Sequence, residues 1–563
     1  MNKSVNFTYS YPKRFLISLP AIAALVLTVL LFGPLELMIS NSSTFTFNPI
    51  QFLPLAALVS FCAILIGTAL LAVFRGKLYN LLITLCLAAT LCVYVQNTFM
   101  NFGLPELNGK EIEWGSMRKE IIINTVIWLI LFAVPFVLLH FKAAWRTCIV
   151  LLPIMMCVMQ LTGFISVVIS SHGDQERNGY LGYDHFCEYA PKDNVLVFML
   201  DTLDYRFLES VQQEDPMFFE RLDGFTQYDN AISPFVFTRP GLNFILTGYD
   251  KTVFKEDLND FLYHSWDDGD RHILKDLNEA GYTVDLYAAP NLALGEQYQS
   301  FKPYIANLEE KLPEPIFKKL AKSYLKLSAY RGTPLIIKQR FKYYTTSFER
   351  IYPKYSNYLT DQTLYDEQLS SMKMNSESKF FKFYEFNGSH APYYMRSDGT
   401  IGSEKTDVIS QTKGSFEILF RAFDRMKELG IYKDTAIIIT ADHGYCHDVR
   451  QPLDGPIRIG LLYKPAGSEG TPLQHTYVPV STRNISPTIL KAAGLDYSAY
   501  GTPLDEVPDD QSIVRKYTRN ALNDKRLSGK VFLVYYYNVA YDASKMESWT
   551  LTHTEYIPRE YGY

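Results

Sequence analysis

Five apolar runs crowd the first 170 residues, at 15–38, 52–74, 78–100, 121–141 and 145–170, with almost no charge inside them. Each is long enough to cross a hydrocarbon core of about 30 Å as a helix. One such run alone could be a buried core helix, but five in succession read as a membrane domain. The first is too long for a cleaved leader, and four more follow it. Because lipid offers no partner to a backbone amide, a bundle of five helices is the fold these residues allow.

Short loops orient the bundle. Lys3, Lys13 and Arg14 precede the first run, Arg75 and Lys77 separate the second from the third, and Lys142 lies between the fourth and the fifth, with Arg146 at the start of the fifth. Loop 39–51 is uncharged, and the loop after the third run mixes Glu106, Glu111 and Glu113 with Lys110, Arg118 and Lys119. The N-terminus is therefore expected inside and everything after Ser170 outside. That makes the chain a multi-pass protein of the inner or plasma membrane with an extracytoplasmic second half. The spans lack the ionisable residues that mark transport pathways, which excludes a transporter.

With 563 residues, two or more domains are expected. A net charge of -5 and the absence of a basic stripe exclude a nucleic-acid binder. Of seven cysteines, Cys62, Cys86, Cys92, Cys148 and Cys157 lie in apolar runs, where thiols act as small hydrophobes. Cys187 and Cys446 stand in the polar half, and a bridge between them is left open.

The polar stretch 171–193 reads as a linker. After it, strands and helices alternate over 194–563. Residues 194–200 (NVLVFML) form a continuous β-branched run of the kind buried on both faces of a parallel sheet. Further strands are predicted at 283–287, 380–386, 435–440 and 457–463, with helices at 414–429 and 484–493 between them. This alternation predicts an α/β domain with a mostly parallel central sheet. The Lys- and Tyr-rich stretch 303–371 is expected as a helical insertion beside the active site. The tail after Val507, with 531–537 (VFLVYYY), is expected to add a small β layer.

Ligands in open α/β sheets bind beyond the carboxyl ends of the strands, and acids stand there in two places. Asp201 follows the run 194–200, with Asp204 close behind; Asp442 and His443 follow 435–440. Carboxylates with an imidazole suit a divalent cation such as zinc or manganese. Thr238 stands at the predicted start of a helix, where free N–H groups attract anions, and Arg239 comes next. A hydroxyl activated there could attack phosphorus and form a phospho-threonine. His390, again just beyond a strand, could bind a phosphate or protonate a leaving alkoxide. Glu385, His447 and His475 are additional candidates. Singly, an Asp at a strand end or Thr238 reads more readily as a helix cap than as a catalytic group; the order of these elements and their repeated placement at strand ends favour chemistry.

The order of these elements resembles the sulfatase-like branch of the alkaline phosphatase superfamily over most of 194–493. Five spans followed by an outer domain resemble lipoteichoic acid synthases and lipid A phosphoethanolamine transferases. The resemblance implies a metal held by Asp201, Thr238, Asp442 and His443, with Thr238 as nucleophile. Residues 388–396 (GSHAPYYMR) look like the phosphoethanolamine transferase segment that supplies a substrate-binding histidine, which carries that role to His390 and extends it to Arg396. Thr238, Pro240, Leu246 and Gly248 also resemble nucleotide pyrophosphatase/phosphodiesterases.

Departures narrow the expectation. Sulfatases convert the first residue of C/S-x-P-x-R to formylglycine; here the motif reads Thr238-Arg239-Pro240-Gly241-Leu242, which disfavours sulfate-ester hydrolysis. Lipoteichoic acid synthases carry Glu where Asp201 stands, and the phosphoethanolamine transferases carry His where Glu385 stands and have disulfide-rich outer domains. The expected function is metal-dependent transfer of a phosphoethanolamine- or phosphoglycerol-type group from a phospholipid donor to a surface glycan or lipid acceptor. The alternatives are a phosphodiesterase or phosphatase on the outer membrane surface, and an inactive envelope scaffold.

Overall fold

The computed structural model describes residues 9–41, 48–101, 104, 114–170, 180–247, 264–266, 272–288, 298–309, 316–341, 371–375, 377–402, 404–445, 453–521 and 531–558. The chain forms two compact units, Met1–Arg177 with Leu312–Pro353, and Asn178–Lys311 with Lys354–Tyr563.

The first unit holds five helices long and apolar enough to cross a membrane: Tyr11–Ser40, Pro49–Val73, Gly76–Phe99, Trp114–Leu138 and Lys142–Ser170. They coincide with the five apolar runs. Their shared core contains Ala21, Tyr79, Ile83, Leu87 and Trp145, and Trp145 donates its indole N–H to Thr84 Oγ1 at 3.1 Å. Large apolar side chains such as Leu58, Phe61, Ile66 and Leu129 face outward, as expected where the surrounding solvent is lipid.

The first span is irregular. Leu27–Phe32 is wound as a π-helix, and Pro34 follows in Gly33–Ser40. Proline has no N–H to offer the carbonyls four and five residues back, here Leu30 and Val29. A helix that returns to the bundle, Phe317–Gly332, answers both. Tyr324 donates its hydroxyl to Leu30 O at 2.7 Å, and Ser328 donates to Val29 O. Arg331 donates to Gly33 O and pairs with Glu36 at 2.9 Å. Residues 324, 328 and 331 share one helix face. The short helix Leu335–Lys338 follows, held by Asn124 Oδ1, which accepts from Leu335 N at 3.0 Å. Of the stretch 303–371, the helices at 317–338 pack within the membrane unit, where the span supplies carbonyls that accept from them; 310–315 and 342–370 lie outside the described residues.

The expected linker 171–193 is described from Tyr180 onward, and there it is part of the second unit. Tyr180–Leu181 pairs with Leu308–Glu309, and Glu188–Tyr189 with Lys373–Met374.

The centre of the second unit is a seven-stranded sheet. Its strands are β1 (Asn194–Leu200), β2 (Thr226–Tyr228), β3 (Tyr282–Tyr287), β4 (Lys379–Phe386), β5 (Thr435–Thr440), β6 (Leu462–Lys464) and β7 (Gln474–Thr476), in the order β7-β2-β6-β5-β1-β4-β3. Only β6 runs antiparallel to its neighbours. Residues 457–461, expected in the strand at β6, instead cross between elements: Gly460 N bonds Leu203 O and Ile459 N bonds Ala231 O. Strands β2 and β7 are too short to show a periodicity in sequence.

The middle strands β1 and β5 are buried at every position. Phe198, Tyr384 and Tyr287 stand in register across β1, β4 and β3, with ring centroids 5.0 and 4.9 Å apart and nearly parallel planes. Such aromatic pairs contribute about 0.5–1.5 kcal/mol each beyond their burial. Helices α1 (Tyr205–Glu214), α2 (Thr238–Thr247), α3 (Ile273–Glu279), α4 (Val408–Glu428) and α5 (Ile485–Ala492) accompany the sheet.

The tail forms its own antiparallel sheet of β8 (Arg515–Ala521), β9 (Val531–Val539) and β10 (Trp549–Pro558). It packs on Ile232 and Val236 through Tyr517, Tyr537 and Trp549. Arg515 reaches Val480 O and Tyr541 O, and both the carbonyl and side-chain oxygen of Asn230. The tail thus braces the loop that leads to Thr238.

Candidate active site

Adjacent parallel strands deliver the acids to one place. β1 and β5 pair in parallel, with Met199 opposite Thr440, so Asp201 and Asp442 emerge side by side at their carboxyl ends. Both are almost wholly buried, and His443 is partly so. Ligand atoms of Asp201, Asp442 and His443 all lie within 4.8 Å of one another, the one such cluster among the described residues.

The hydrogen bonds say what the cluster is for. Asp442 Oδ1 accepts from Thr202 N at 3.1 Å and His443 N at 2.8 Å, while Oδ2 is buried with no hydrogen-bond partner. An orphaned buried carboxylate oxygen is costly unless a cation or donor meets it. His443 Nδ1 bonds Gly444 O at 3.0 Å; a carbonyl can only accept, so Nδ1 is the donor there and Nε2 is the nitrogen turned toward the carboxylates. That nitrogen lies 3.4 Å from Asp442 Oδ2 and 3.7 Å from Asp201 Oδ1. Donors held about 2.0–2.1 Å from a tetrahedral zinc ion stand about 3.3 Å apart, so the three residues fit a divalent cation.

The electrostatics agree. Burial, with the Asp442 carboxylate beside it, pushes Asp201 up to about 6. Burial works against the His443 imidazolium, yet Asp442 and Asp201 outweigh it and raise its pKa. Each shift marks a concentration of negative charge awaiting a cation.

The loop after β4 clasps Asp201 by its backbone. Asp201 N donates to Phe386 O at 3.0 Å, and Ser389 N donates to Asp201 O at 2.9 Å. Gly388 between them has φ +49°, and a Cβ there would stand 2.6 Å from Asp201 N. His390 follows, exposed, near enough that its charge helps hold Asp201 down. Gln411 on α4 fastens this loop by donating to His390 O at 2.7 Å and Gly388 O at 3.1 Å.

Thr238 opens α2, as the sequence suggested. That first turn abuts the loop after β5: a Cβ at Gly241 would stand 2.5 Å from Asp442 O, and Ser233 donates to the same carbonyl at 2.6 Å. Thr238 lies three residues before Gly241, one turn back on the same side; Arg239 follows in that turn.

The remaining candidates fall elsewhere or play other parts. Asp204 caps α1, and its two oxygens are taken by Arg206 and by Tyr445 N at 2.9 Å. It is therefore a brace for the loop after His443, not a ligand. Glu385 is buried in β4, next to the last residue of the strand. Arg396 is exposed on its own turn, with its guanidinium against Gly402. His475 is not brought to the cluster. It sits on edge strand β7 and pairs with Asp229 at 3.1 Å, with β2 and β6 between it and β5. His447 and Cys446 lie outside the described residues.

Sequence reasoning missed Ser233, Gly241, Gly388 and Gln411. The glycines carried a signal, since each lies within a candidate segment, Gly241 in 238–242 and Gly388 in 388–396; Gln411 carried none.

The family profile described as Sulfatase matches residues 193–495. No curated protein matches the chain. Among solved structures it is similar to phosphonate monoester hydrolase SpPMH from Silicibacter pomeroyi, at 15% identity over 66% of this chain and 89% of that one, with a TM-score of 0.41. It is also similar to a protein in the alkaline phosphatase superfamily from Vibrio parahaemolyticus, at 14% identity over 67% and 85%, with a TM-score of 0.36. A third similarity is to the lipoteichoic acid synthase LtaP from Listeria monocytogenes, at 12% identity over 65% and 87%, with a TM-score of 0.33.

Proposed function

The chain belongs to the sulfatase family, whose members act on sulfate or phosphate esters, and from that premise we propose a membrane-anchored phosphotransferase. It moves a phosphoethanolamine- or phosphoglycerol-type group from a phospholipid to a glycan or lipid of the cell envelope, on the outer face of the membrane. The observation that carries this reading is the juxtaposition of Asp201, Asp442 and His443 with the first turn of α2, which Thr238 opens. A threonine at that turn, in place of the Cys or Ser of formylglycine enzymes, favours phosphorus over sulfur.

Asp201, Asp442 and His443 would hold the cation, zinc or manganese. When bound, it would offset charge on the phosphoryl oxygens and lower the pKa of the threonine hydroxyl. Thr238 Oγ attacks phosphorus as the bond to the diacylglycerol oxygen breaks, and the threonine proton passes to solvent. His390 gives a proton to the departing oxygen. The free N–H groups at the start of α2 orient the anionic substrate. In the second half an acceptor hydroxyl gives its proton to His390 and displaces Thr238, which takes back a proton from solvent. Spans on the same chain keep the site near its lipid donor and raise its effective concentration.

Intact-mass analysis of the detergent-purified protein with a phospholipid mixture tests this. The expected result is a metal-dependent added mass that matches the transferred group, absent in Thr238→Ala. Headgroup released to water with no transfer to a glycan would make the enzyme a hydrolase. Neither adduct nor release with any lipid or metal would overturn the reading.

A further inference from the structure

The returning helix Phe317–Gly332 carries Lys318, Lys319, Lys322 and Lys326 and no acidic residue. Its other face is committed to the bundle through Tyr324, Ser328 and Arg331. At 100° per residue the four lysines fall within about one third of the helix circumference, on the side away from those contacts. Lys318, Lys319 and Lys322 are exposed and have no ion-pair partner among the described residues. Lys326 is half-buried, and burial together with the Lys322 charge lowers its pKa. Four like charges on one short face repel each other unless something anionic lies against them.

The level of the helix says what that is. Asn97 bonds both to Thr28 O and, through its own carbonyl, to Arg331. Asn97 lies 21 residues from Gly76, the start of its span, which at 1.5 Å per residue is about 31 Å. That is one hydrocarbon thickness from the end bearing Arg75. The returning helix therefore lies at the level of the opposite headgroups. Phe317 and Leu325 on it, and Ile336 and Ile337 on the short helix that follows, are 65, 55, 47 and 45% exposed. Apolar side chains beside lysines on a helix at this depth are what an interfacial element presents to lipid.

We propose that the lysine face of Phe317–Gly332 binds the headgroups of anionic phospholipids at the membrane surface, a binding surface distinct from the candidate active site. It concerns the bilayer itself and does not depend on which group the enzyme transfers.

The test is amine acylation of the full-length protein in nanodiscs of phosphatidylcholine alone or with phosphatidylglycerol added, read site by site by mass spectrometry. Labelling at Lys318, Lys319 and Lys322 should fall about fivefold in the anionic discs, the factor one lysine near an anionic surface contributes. High salt should restore it. Equal labelling of the three lysines in both discs overturns the proposal. As a second arm, replacing all three exposed lysines with glutamine should abolish the extra thermal stability that anionic discs give the wild type; an undiminished gain also overturns it.

Discussion

His443 points its Nε2 at an oxygen of Asp442 that has no hydrogen-bond partner, 3.4 Å away. The two backbone N–H groups on Asp442 Oδ1 fix which oxygen is left over. In Asp442→Asn the amide oxygen would keep those two bonds, and the NH2 would turn toward the cation position. The variant should fold with nearly unchanged thermal stability but purify with little bound metal and lose at least about a hundredfold in activity, since even outer partners of a metal site can cost that much. Elemental analysis beside a melting curve decides it; full metal occupancy in the variant would remove Asp442 from the ligand set.

Gly388 makes a second, purely steric prediction. Its φ of +49° and the 2.6 Å approach of a Cβ to Asp201 N both oppose a side chain. Gly388→Ala should cost about 1–3 kcal/mol, as overpacked sites do, and should displace Asp201 and His390 together. A lower melting temperature with reduced metal content is expected; normal metal content and activity would show that the loop yields freely.

The parts of this arrangement that could be read in the sequence are those that follow from runs. Five apolar stretches gave five spans, and NVLVFML gave the central strand because a strand buried on both faces needs no alternation. Asp201, Asp442 and His443 were legible because each follows such a run, and neighbouring parallel strands must end together. His475 misled because nothing local distinguishes an edge-strand histidine paired to Asp229 from a ligand. The returning helix was legible as a helix but not as part of the bundle. It docks on carbonyls beside Pro34, nearly 300 residues earlier, and no local pattern encodes that pairing.

Lys382 predicts a pH dependence. It is wholly buried in β4, bonded to His185 O and lying over Phe380 and Tyr189. Burial pushes it down to about 8, against the favourable charges of Asp285, Cys187 and Glu188. Between about 8 and the ordinary lysine value of about 10.5 the unfolded chain holds more protons, so this group makes the native state more stable as pH rises. Below about 8 its full cost is present, on the order of 3 kcal/mol. Unfolding curves of wild type and Lys382→Met should therefore converge, or the wild type gain on the variant, from pH 7 to 9.5. A difference that does not change with pH would mean the buried amine is not the titrating group.

Pro34 and Tyr324 should be coupled. Tyr324 donates to Leu30 O, a carbonyl within reach of the N–H that residue 34 would have if it were not proline. Tyr324→Phe leaves that carbonyl without its donor and should cost about 1–3 kcal/mol of stability in the membrane unit. In a Pro34→Ala background the restored amide can serve Leu30 O, so the same Tyr324→Phe change should cost less than half as much. The comparison is a double-mutant cycle on detergent-solubilised protein, followed by thermal unfolding, with the coupling read as the departure from additivity. Arg331 provides the control: it bonds Gly33 O and Glu36, neither of which the new amide would satisfy, so Arg331→Ala should cost the same in both backgrounds. If Tyr324→Phe also costs the same in both, the returning helix is held by its apolar contacts and the Arg331 pair, and the proline is incidental to its docking.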